Sequence, residues 1–202
     1  MKYSILALLL HLSILGFNQD NHFGIKGGYI LSNQQDGLEN IKYKSLSSFQ
    51  IGVLYSINIS KKISLIPELL YSNKGTKIND SKLILRTFEV PLLMSYKIKS
   101  FALELGPQYS QIFKAKWVDE IEIYKENFSM SNIGFVIGLN YSISDRLLLG
   151  SRFQKDITNN LSLLDYFPKT ISINNGSEDP SIPAGFPVSK TQAFQIFFTY
   201  TI

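Results

Sequence analysis

The chain of 202 residues contains no cysteine. That excludes a disulfide framework, a thiolate metal site and an acylated-cysteine anchor. Charge is sparse: Asp, Glu, Lys and Arg make up 18% of the residues, against about 25% in soluble globular domains. The formal net charge of +4 is not gathered into a Lys/Arg run, so the concentrated basic stripe of a nucleic-acid binder is missing. Long hydrophobic runs are missing too. Ile5 to Leu15 is apolar for about 11 residues, where a membrane-spanning helix needs about 20, and no other apolar run approaches that length. Histidine is rare, with only His11 and His22. Neither stands where a barrel hydrolase needs its general base, near the outer rim, so no catalytic residue is expected.

What the chain does have is alternation. At its C-terminal end, Phe194, Ile196, Phe198, Tyr200 and Ile202 occupy every second position, with Gln195, Thr199 and Thr201 among the residues between them. A period of two marks a strand with one apolar face. Seven further segments share it: His22 to Leu31, Ser47 to Ile59, Ile63 to Lys74, Thr87 to Ile98, Phe101 to Phe113, Ser131 to Ile143, and Leu147 to Asp156. With Gln192 to Ile202 they predict eight strands. Lengths of about 10–13 residues suit a tilted transmembrane strand, which needs about 9–11.

The connections alternate as well. Ser60 to Lys62, Lys97 to Ser100 and Ser144 to Arg146 read as tight turns. Ser32 to Leu46, Gly75 to Lys82, Ala115 to Met130 and Ile157 to Thr191 read as long loops. Short turns at one end and long loops at the other are the asymmetry of outer-membrane barrels. Hydrocarbon satisfies no backbone N–H or C=O, so a strand-built chain must close its sheet to cross it. The expectation is an all-β fold, an eight-stranded antiparallel up-and-down transmembrane β-barrel over residues 20–202, behind a signal peptide over residues 1–19. Lys2 and the apolar run after it carry the signal reading. A soluble lipocalin-like barrel also has eight strands, with its apolar faces inward. The clustering of Tyr55, Tyr71, Tyr96, Tyr109, Tyr141 and Tyr200 near strand ends favours the membrane arrangement.

Several stretches carry a family resemblance. They are GIKGGYILS (Gly24 to Ser32), SLIPELLYSNKGTK (Ser64 to Lys77), FEVPLLMSYKI (Phe88 to Ile98), ALELGPQYS (Ala102 to Ser110), GFVIGLNYSISDRLLLGSRF (Gly134 to Phe153) and QAFQIFFTYTI. Together they resemble the small outer-membrane β-barrel family of Bacteroidetes related to the PorT proteins. The resemblance implies an eight-stranded barrel in a Gram-negative outer membrane. PorT itself is linked to type IX secretion, and the resemblance leaves activity open.

Two groups of residues are candidates for function. Face parity puts Lys26, Glu68, Glu89, Glu104, Arg152 and Asp156 on the presumed lumen side. An eight-stranded barrel is just wide enough for side chains to fill it, so the three glutamates there need cations. Arg152 with Lys26 is expected to supply them and make a plug of ion pairs. The second group lies in the last long loop: Leu161, Leu164, Tyr166, Phe167 and Phe186, expected to fold over the barrel mouth or dock a partner. Pro67, Pro91 and Pro107 fall inside strands, and bulges are expected there. The expected product is a non-enzymatic monomer with no cofactor and no metal, surrounded by outer-membrane lipid and lipopolysaccharide. An envelope or secretion protein is the expected partner through the loops. A narrow ion channel and the soluble ligand-binding barrel are the alternatives.

Overall fold

The computed structural model describes residues 21–35, 43–78, 81–118, 123–158 and 190–202. Eight strands form one closed antiparallel barrel in the order β1-β2-β3-β4-β5-β6-β7-β8. They are β1 His22–Gln35, β2 Tyr43–Asn58, β3 Ile63–Ile78, β4 Ser81–Ile98, β5 Phe101–Val118, β6 Ile123–Ser142, β7 Leu147–Asp156 and β8 Lys190–Thr201. β8 closes the ring on β1 from Gly24–Thr201 to Gln35–Lys190. The Ile202 amide still donates to the Phe23 carbonyl at 2.8 Å.

The apolar faces point outward. Phe194, Ile196, Phe198 and Tyr200 are about half exposed, while Gln195 and Thr199 between them are buried. The same inversion runs around the wall, with Leu105, Ile137, Met94 and Ile51 outside and Glu104, Ser95 and Gln50 inside. A lipocalin would show the opposite, so the soluble arrangement is not the one adopted.

Three expectations need correction. The first concerns the long loops. β1 and β2 run into Ser32 to Leu46, and β5 and β6 run into Ala115 to Met130. Gly75 to Lys82 is a tight hairpin whose strands pair up to Ile78 and Ser81. The paired backbone continues past the apolar band, where the outward positions turn polar (Asn73, Lys77, Lys82) and the hydropathy signal fades. The fourth loop, with Leu161, Leu164, Tyr166, Phe167 and Phe186, lies outside the described residues.

The second concerns the prolines. The register shifts lie between Ser45 and Gln50, Arg86 and Thr87, and Ile112 and Lys114, none of them at a proline. Instead the ladder skips two pairs beside each proline and resumes in the same register. Pairing steps from Leu54–Glu68 to Ile57–Leu65 beside Pro67, and from Pro67–Leu92 to Leu70–Glu89 beside Pro91. It steps from Pro91–Gln108 to Met94–Leu105 beside Pro107. One missing N–H accounts for each gap, because that donor serves both adjacent pairs.

The third concerns the polar lumen, which also holds apolar side chains. Leu54, Ile66, Leu93 and Val136 form one buried cluster, and Leu46, Leu83, Leu85, Ile112 and Ala115 are buried nearer the end opposite the termini. Gly75 lies toward this end: its φ is +150°, and a Cβ there would stand 1.8 Å from the Leu83 carbonyl oxygen.

Candidate functional site

Lys26, Glu68, Glu104 and Arg152 come from β1, β3, β5 and β7, each at an inward position of its strand. Their side chains meet inside the barrel. Arg152 grips Glu68 with two hydrogen bonds, Nη1 to Oε2 at 2.8 Å and Nη2 to Oε1 at 3.1 Å. Nη2 also donates to Glu104 Oε2 at 2.6 Å. Lys26 Nζ donates to Glu68 Oε1 at 2.5 Å. Asn140 Nδ2 reaches Glu104 Oε1 at 2.5 Å. Two cations and two carboxylates therefore compensate one another across the lumen, all with 3% or less of their surface exposed. The forked geometry of guanidinium and carboxylate fixes direction as well as charge.

Phe197 completes the cluster. It is the inward apolar residue of β8 that alternation alone leaves unexplained. Lys26 Nζ stands 4.2 Å and Arg152 Cζ 4.9 Å from its ring centroid. The ring is a neutral surface that attracts both cations. Its space is made by glycine: a Cβ on Gly150, its partner in β7, would lie 2.3 Å from two ring carbons.

A second cluster sits nearer the far end. Glu89 forms an ion pair with Lys74 and accepts a hydrogen bond from Ser72 Oγ at 2.5 Å. Asp156 lies near this pair, in contact with Thr191 and at 3.5 Å from Asn132 Nδ2. The six residues singled out from sequence thus divide: Lys26, Glu68, Glu104 and Arg152 meet, whereas Glu89 and Asp156 belong to a separate group. Lys74, Asn140 and Phe197 are the participants that sequence reasoning did not place there. Lys74 had the right parity, but its height relative to Glu89 depends on the stagger between strands. Among the described residues, no group of three His, Cys, Asp or Glu is arranged to hold a metal ion.

An apolar exterior, a closed hydrogen-bonded wall and charges compensated inside define a transmembrane-type β-barrel with a plugged lumen. Residues 17–163 match the outer membrane protein beta-barrel domain family, and the chain belongs to it. No curated protein matches the sequence. Among solved structures, the chain is similar to Neisserial surface protein A at 8% identity and a TM-score of 0.59, over 91% of this chain and all of that one. It is also similar to Ail, the attachment invasion locus protein of Yersinia pestis, at 12% identity and a TM-score of 0.53, with the same coverage. At these identities the likeness is one of fold.

Proposed function

We propose that the protein is a non-enzymatic, integral β-barrel of a Gram-negative outer membrane, and that it works through its outer end rather than through a pore. The observation that carries this reading is the plug: Arg152 bridges Glu68 and Glu104 across the lumen while Lys26 and Phe197 fill the space beside it. A transported ion would have to break paired, buried charges, which costs several kcal/mol. The role is then structural or partner-binding. The resemblance to PorT-related barrels supports a partner within a secretion or envelope machine.

The test has two arms. The refolded full chain in planar bilayers is expected to show no steady conductance; stepwise channels would favour the narrow-pore alternative. Affinity purification from the native envelope, with residues 157–191 intact or deleted, is expected to lose a specific partner only on deletion. Recovery of the same proteins from both forms would remove that loop from the interface.

A further inference from the structure

Beyond the apolar band, the outer surface of β2 to β5 carries a ladder of cations. Lys44 pairs with Lys77 across β2 and β3, and Lys77 pairs with Lys82 across β3 and β4. Arg86 pairs with Lys114 across β4 and β5. Lys116 faces Ile84 on one side and stands beside Lys125 of β6 on the other. Directly opposed side chains on one sheet face have Cβ atoms about 4.5–5.5 Å apart, and like charges so placed are destabilising. Here three cross-strand partnerships between β2 and β5 oppose cation to cation.

Nothing in the described wall neutralises them. Lys44, Lys82 and Arg86 are exposed, and Lys77, Lys114 and Lys116 half-buried. None forms an ion pair among the described residues. Among the described side chains the carboxylates are elsewhere: Glu68, Glu89, Glu104 and Asp156 are buried inside, and Asp145 lies in a tight turn at the opposite end.

Position narrows the counter-charge. On the same outer face, toward the apolar band, lies an aromatic cluster. Phe88 and Phe113 stack at 4.9 Å between centroids, and Tyr71 meets both, at 5.9 and 6.2 Å. Phe49 joins Tyr71 at 6.4 Å. Aromatic side chains of this kind mark the level of the membrane–water interface. Arg86 is two residues beyond Phe88 along β4, and Lys114 follows Phe113 directly along β5. The cations therefore begin where lipid headgroups begin.

We propose that this outer face of β2 to β5 is a binding surface for the phosphorylated head of an outer-leaflet glycolipid, lipopolysaccharide. Its acyl chains lie along the apolar wall beside Phe49, Tyr71, Phe88 and Phe113, and its phosphates lie among Lys77, Lys82, Arg86, Lys114 and Lys116. The anionic head relieves the opposition of like charges that the strand register imposes. A soluble polyanion would satisfy the charges but leave the adjoining aromatic wall unused, so the site is assigned to a lipid. The proposal rests on the outer-membrane reading above.

The full chain is refolded in detergent micelles and titrated with bisphosphorylated lipid A, with the same lipid A after phosphatase treatment, and with soluble polyphosphate. The triple variant Lys77→Gln, Lys82→Gln, Lys116→Gln is compared with the parent. The expected result is tight binding of bisphosphorylated lipid A alone, weakened at least tenfold by the triple substitution and by dephosphorylation. Unfolding supplies a second readout with opposite signs. Without lipid A the variant melts at the same or a higher temperature than the parent, because a repulsion is gone; with lipid A it melts lower. Equal binding by parent and variant, indifference to the phosphates, or tighter binding of polyphosphate than of lipid A would each overturn the assignment. Envelope fractionation of the parent separates the two levels. A chain found in the outer membrane but blind to lipid A phosphates fails this inference alone, and a chain absent from the outer membrane fails the reading beneath it.

Discussion

Phe197 holds a position that neither faces lipid nor fits a polar interior, and the cations beside it explain why it is kept. Phe197→Ala removes a buried ring and two cation–π contacts at once. The expected loss is about 3–5 kcal/mol, read from urea unfolding in lipid vesicles. The plug itself makes a sharper prediction. Arg152→Ala leaves Glu68 and Glu104 facing each other with only Lys26 as cation, and is expected to destabilise the barrel by about 3–5 kcal/mol. Removing Glu68 together with Arg152 leaves Lys26 and Glu104, one charge of each sign. The double variant is therefore expected to lose clearly less than the two single losses added together, in the same unfolding assay. Equal additivity would mean the residues do not act as a unit. Parity made Lys26, Glu68, Glu104 and Arg152 legible as lumen residues. Which of them touch was not legible, because contact across a barrel depends on strand stagger, and stagger is set by pairings between strands rather than by any one strand.

At the level of the strands, the prolines show how a local rule is obeyed without disturbing the whole. Pro67, Pro91 and Pro107 lie on three adjacent strands, and each withholds one donor while the register stays fixed on both sides of the gap. In hydrocarbon no water replaces the missing donor. Pro107→Val, at an exposed outward position, restores an N–H and keeps an apolar side chain against lipid. It is expected to stabilise the barrel by about 1 kcal/mol, seen as a higher urea midpoint, with faster amide exchange around Leu92 and Leu93 in the parent than in the variant. Strand existence and face were readable because the membrane forces a strict apolar repeat on the outer side. Strand ends were not. Beyond the membrane that constraint lapses, so Lys77 and Lys82 look like loop residues although their backbones remain paired.

The whole molecule is a protein turned inside out, and that inversion can be tested at one residue. Ile137 is half exposed within the outward apolar run of β6, Ile133 to Tyr141. Ile137→Arg is expected to cost about 2–4 kcal/mol on the lipid face of a barrel, whereas the same change on the surface of a soluble barrel would be close to neutral. The heat-modifiable band of the folded form on a cold SDS gel, together with the urea midpoint, reads the difference. The plug also has a consequence in time. Its charges come from β1, β3, β5 and β7, and the ring that supports them comes from β8. Neighbouring hairpins form from nearby chain, but Arg152 cannot meet Glu68 and Glu104 until the seventh strand is brought to the third and fifth. Until then, Lys26 is the one cation of the cluster set against the two carboxylates Glu68 and Glu104 in a half-built sheet. An incomplete barrel is therefore penalised at every stage short of closure, and the order of assembly is written into the spacing of four charges along the chain.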